Sequence, residues 1–98
     1  MTDMATVSEV VHRASAPFLS KVGLRRVSSE PAIGSEGQDI LRVLIVLEGD
    51  GPVDIDGNDV VDLMVAARRQ LYEAGEERQP IFEFATENEL RDVADSEA

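Results

Sequence analysis

Apolar residues first recur at helical spacing. Val7, Val10, Val11, Ala14 and Phe18 fall at i, i+3, i+4, i+7 and i+11, the stripe of an amphipathic helix. Thr6 and Glu9 have the spacing of a capping box, in which each side chain satisfies an amide of the first turn. Pro17 has no amide proton and disfavours helical angles at Ala16. The helix is therefore expected to kink or end near Ala16, or to run on to Gly23 as its cap. The pattern then changes to that of strands. Leu24 to Glu30 reads as a strand of modest apolar content, and "PAIGSEGQ" (31–38) as a loop by its Pro, Ser and two Gly. "DILRVLIVLE" (39–48) is the clearest strand, β-branched and almost continuously apolar, as a central strand buried on both faces would be. Strands on either side of so short a loop are expected to pair as an antiparallel hairpin.

Helical spacing returns at Val60, Leu63, Met64, Ala67, Leu71 and Ala74, with Gly75 where a C-cap belongs. "IFEFA" (81–85) follows as a short strand with Phe82 and Phe84 on one face. Thr86 and Glu89 repeat the capping-box spacing, so a short last helix is expected over 87–94, with Leu90, Val93 and Ala94 on its apolar side. The order is αββαβ with this short addition. It predicts an α+β two-layer sandwich: a three-stranded mixed sheet, two helices on one face, and a right-handed strand–helix–strand crossover making the second and third strands parallel if adjacent. Residues 1–94 are expected to form one domain and 95–98 to fray. In element order such a domain resembles the ring-building modules of secretion systems, a likeness of topology alone that no particular residue carries.

Composition narrows the chemistry. The 98 residues include no Cys, no Trp and one His, so thiolate ligands, disulfides and thiol nucleophiles are excluded. The longest apolar run, Val43–Leu47, is far short of the roughly 18–20 residues that span a bilayer, and no signal-peptide pattern opens the chain. A cytoplasmic protein that does not engage membranes is expected. The net charge of −11 is unevenly placed. Five acids balance five bases in residues 1–47, whereas residues 48–98 carry fifteen acids and four bases. Such a field disfavours nucleic acid and favours a basic partner, besides promoting solubility or tolerance of high salt.

Three local patterns invite a sharper reading. "EGDGPVDIDGNDVVDL" (48–63) holds six acids, and calcium binding in an EF-hand register would place a glycine sixth and a bidentate Glu twelfth. With Gly57 sixth, positions 1 and 12 are Pro52 and Leu63; with Gly51 sixth, they are Val46 and Gly57. Both registers fail at the first and last ligands. A turn followed by a helix start suits the residues better, with Asp56 or Asn58 as cap and Asp59 and Asp62 favoured by the helix dipole. "GSEG" (34–37) matches the G-x-x-G of KH domains, but it joins strands and carries an acid. His12 stands beside the apolar stripe of the first helix with no spaced partner for a triad or a metal. Arg25-Arg26 and Arg68-Arg69 are the basic doublets, and Arg69 is expected to pair with Glu73 at i+4. No catalytic residue, cofactor site or metal site is assigned.

The strongest functional feature is the second face of the sheet. Leu41, Val43, Ile45 and Leu47 alternate onto one face of the central strand, and Ile40, Arg42, Leu44 and Val46 onto the other, where Ile81 could join them. Two helices cover only one face. The other is a candidate interface unless the C-terminal segment, through Leu90 and Val93, folds over it. The expectation is a small acidic, non-catalytic protein-interaction module, binding itself as a homodimer or a basic protein. The alternative is a small-ligand or weak divalent-metal protein using the acidic turn at 50–62.

Overall fold

A computed structural model describes residues 2–49 and 55–90. The elements are α1 (Met4–Ser15), a 3-10 turn (Ala16–Phe18), β1 (Leu24–Ile33), β2 (Asp39–Leu47), α2 (Gly57–Glu73) and β3 (Gln79–Thr86), and helix resumes at 87–90. The strand order is β1-β2-β3, with β1 antiparallel and β3 parallel to β2. This is the expected three-stranded mixed sheet of an α+β fold.

One core joins the layers. Val7, Val10, Val11 and Ala14 of α1, and Leu63, Ala67 and Leu71 of α2, pack with Leu41, Val43, Ile45 and Leu47 of β2 and with Leu19. These β2 residues alternate, so both helices lie on the same face of the sheet. Each fully buried Leu or Ile contributes roughly 2 kcal/mol relative to exposure. The core is aliphatic at its centre, with Phe18, Phe82 and Phe84 packed at its margins.

The element boundaries correct several expectations. α1 starts at Met4, not after Thr6: the Asp3 carboxylate accepts from the Thr6 N–H at 2.8 Å and serves as its cap. That bond holds Asp3 below its ordinary carboxylate pKa. As Pro17 led one to expect, α1 ends at Ser15, and the alternative of a run on to Gly23 is not taken. β1 runs on through Pro31 to Ile33, residues that composition assigned to the loop. The ladder explains how a proline is tolerated there. The Gly34 N–H donates to the Gln38 carbonyl at 2.7 Å, and in the register that follows the even residues of β1 exchange bonds with β2. Pro31 therefore turns its nitrogen to the open edge, where no ladder bond is lost.

The remaining hairpin has three residues between Gly34 and Gln38. Gly37 donates back to the Gly34 carbonyl at 3.0 Å and adopts φ +83°, a turn closed by a left-handed residue. α2 begins three residues before Val60, with the Asp56 carboxylate accepting from the Asn58 N–H at 2.8 Å. It ends in a Schellman motif: Glu76 N–H bonds the Leu71 carbonyl, Gly75 N–H bonds that of Tyr72, and Gly75 has φ +94°. β3 is longer than 81–85 at both ends and includes Pro80, near the start of an edge strand. Thr86 and Glu89 form the anticipated reciprocal cap, Thr86 N–H to Glu89 Oε1 at 3.0 Å and Glu89 N–H to Thr86 Oγ1 at 3.2 Å. Asp50 and Asp54 of the expected acidic turn, Val93 and Ala94 of the expected last helix, and the 95–98 terminus lie outside the described residues.

Candidate interaction surface

Cross-strand register builds the face opposite the helices. Glu30, Arg42 and Ile81 stand abreast across the three strands, as do Ser28, Leu44 and Glu83, then Arg26, Val46 and Ala85. Ala32, Ile40 and Gln79 complete it. Ile40, Arg42, Leu44, Val46 and Ile81 thus share one face, which neither α1 nor α2 covers. Their environments differ. Val46 is fully buried yet lies outside the main core cluster, Ile40 and Leu44 are half-buried, and Ile81 is 44% exposed.

Arg42 sits at the middle of this face, between two carboxylates. Its Nη2 donates to Glu83 Oε1 at 3.1 Å, and its Nη1 lies 3.5 Å from Glu30 Oε1. The Glu83 hydrogen bond, and then the charges of Glu83 and Glu30, raise the pKa of Arg42 further. These pairs are solvent-exposed and add little to stability. They do fix a guanidinium and its counter-charges above an aliphatic row, with Ser28 and Glu30 on one side and Glu83 on the other. The β2 row is thus aliphatic on either side of a charge-balanced Arg42.

A second concavity lies between α1 and the start of β1, lined among others by His12, Arg13, Arg25 and Arg26. Sequence spacing gave no sign of this grouping, because it depends on how α1 packs over β1. A bulge between Leu24 and Arg26 leaves Arg25 unpaired in the ladder. Its side chain reaches Glu87 at 3.1 Å and Glu48 at 3.5 Å. Arg13 pairs with Glu9 at 2.8 Å, and Arg26 bonds Ser28 Oγ at 3.0 Å. The groove is locally charge-compensated.

The sequence reading also missed a buried ion pair. Glu76 and Arg78 follow α2, with their side chains almost wholly out of water. The Glu76 carboxylate also accepts from the Thr2 N–H at 3.2 Å and from the Arg78 N–H at 2.8 Å. The Arg78 hydrogen bonds lower the Glu76 pKa from 4.5 to about 2, against the opposing effect of burial. A carboxylate held this firmly ionised cannot serve as a general acid near neutral pH. Arg78 also donates to the Thr2 carbonyl at 2.7 Å, so the pair ties the chain's start to the α2–β3 connection.

Among the described residues, no group of three His, Cys, Asp or Glu side chains is arranged to hold a metal ion. Within the acidic stretch, Asp56 caps α2 and Asp59 lies in its first turn, as a helix entry requires. No described helix is long and apolar enough to cross a membrane. No family model matches this chain, and comparisons with curated proteins and with solved structures give no match.

Proposed function

We propose that this chain is a cytoplasmic, non-catalytic protein-interaction module that binds a second copy of itself or a basic protein. The observation that carries the reading is the sheet face bearing Ile40, Arg42, Leu44, Val46 and Ile81. β2 is the central strand and from Ile40 on is apolar on both faces apart from Arg42, so each of its faces favours cover. Here α1 and α2 cover only one. A partner set against the other would remove Leu44 and Ile81 from water and would meet Arg42 with its charge already balanced. The surplus of acids in residues 48–98 would speed encounter with a basic partner.

The test is association measured by light scattering and by titration with basic proteins, for the native chain and for Leu44→Asp and Ile81→Asp. Loss of association with an unchanged circular dichroism spectrum supports the reading. Association that persists in both folded variants removes the sheet face from consideration. Unfolding of Leu44→Asp would make that side of the sheet core, while the more exposed Ile81→Asp still reports on binding.

A further inference from the structure

Helix α2 presents a second apolar surface, away from the core. Val61 is 58% exposed, Val65 53% and Tyr72 79%. With Arg68, they fall at i, i+4, i+7 and i+11, within about 60° of one another around the helix axis at 100° per residue. The core-facing residues Leu63, Ala67 and Leu71 lie on a different side. The stripe therefore runs about 17 Å along the helix, at 1.5 Å per residue, with its apolar side chains in water.

Charge along α2 is segregated in a way that suits one partner. Asp59 and Asp62 lie in its first half, and Arg68 and Arg69 in its second, with Glu73 as its last residue. The expected Arg69–Glu73 pair does not form, and among the described residues neither Arg68, Arg69 nor Asp62 takes part in an ion pair. Asp62 and Arg69 project on the same flank of the stripe, about 20° apart around the axis.

We propose that α2 docks antiparallel on the α2 of a second copy, about a two-fold axis near Ala66. In an antiparallel helix pair each flank faces the same flank of its partner, so Asp62 of each copy meets Arg69 of the other, twice by symmetry. Val61 packs against Tyr72 of the second copy, and Val65 against the aliphatic stem of Arg68. A parallel arrangement would instead set this flank against the opposite flank of the partner, which carries neither Asp62 nor Arg69. The charge order thus selects the antiparallel, self-complementary pairing. The inference deepens the interaction reading by naming this chain as its own partner, but it uses a surface separate from the sheet face.

Two experiments on the full chain test it. Sedimentation equilibrium of Asp62→Arg and of Arg69→Asp should show the dimer dissociation constant raised about tenfold or more, corresponding to about 1.4 kcal/mol. The double reversal, which restores complementarity, should return it close to the native value. Because the chain has no cysteine, Val65→Cys should form a disulfide-linked dimer under mild oxidation, whereas Ile33→Cys, exposed on the sheet edge, should not. A native chain that is monomeric at every concentration overturns the pairing but leaves binding to a basic protein open. A dimer insensitive to both charge reversals yet dissociated by Ile81→Asp also overturns it, and assigns self-association to the sheet face. Equal crosslinking of the two cysteine variants counts against it as well.

Discussion

Arg78 grips Glu76 with two parallel hydrogen bonds, Nη2 to Oε1 at 2.8 Å and Nε to Oε2 at 2.9 Å, with both side chains almost fully buried. The fork geometry is specific to arginine, and the remaining carboxylate capacity is taken up by backbone amides. Removing one partner leaves the other as an uncompensated buried charge. Glu76→Ala is accordingly expected to cost roughly 3 kcal/mol, measured by urea unfolding. Arg78→Lys, which loses the fork, should recover only part of the native stability.

The same pair sets an acid limit on the fold. The folded-state pKa of Glu76, about 2, lies below its ordinary 4.5, so the native state favours the ionised form. Its stabilisation is complete above about pH 4.5 and is lost as pH falls from there through about 2. In this window the native chain should lose stability with a steeper pH dependence than Glu76→Gln, as followed by chemical denaturation at a series of pH values. Equal slopes for the two proteins would rule out the pair as the source.

Ser15 presents the opposite situation. Its hydroxyl is buried at the end of α1 with no hydrogen-bond partner among the described residues. Burying an unsatisfied hydroxyl costs about 1–3 kcal/mol. Ser15→Ala keeps the backbone and removes that group, and should raise stability by about 1 kcal/mol in thermal unfolding. A loss of stability would mean that the hydroxyl is satisfied in solution.

Gly75 ends α2 at φ +94°, and a Cβ added there would meet nothing within 4 Å. The effect of substitution is therefore backbone strain alone. Gly75→Ala should destabilise by about 1 kcal/mol, and Gly75→Asn by less, since Asn tolerates the left-handed region better.

The charge of −11 makes a prediction of its own. Like charges repel most strongly in the compact state, and salt screens them beyond a Debye length of about 8 Å at physiological ionic strength. The melting temperature should rise as sodium chloride is added from low ionic strength. A flat or falling curve would show that local ion pairs such as Arg42–Glu83, and not the net field, govern the salt response.

Much of this architecture follows from the sequence alone. The stripe Val7–Val10–Val11–Ala14, the run Val43–Leu47, the cap at Gly75 and the Thr86–Glu89 box report local geometry that neighbouring residues impose, and they give the element order without tertiary information. The five sheet-face residues share a face because strand side chains alternate, which is also a local rule. Pro31 could not be placed in a strand from sequence, because its place depends on which side of the ladder its nitrogen faces. Likewise, only packing decided that Val46 is buried while Ile81 is not, that His12 and Arg13 come to lie beside Arg25 and Arg26, and that Glu76 and Arg78 leave water together with the Thr2 backbone. Burial and long-range pairing depend on which surfaces meet when the layers close, and no spacing along the chain encodes that.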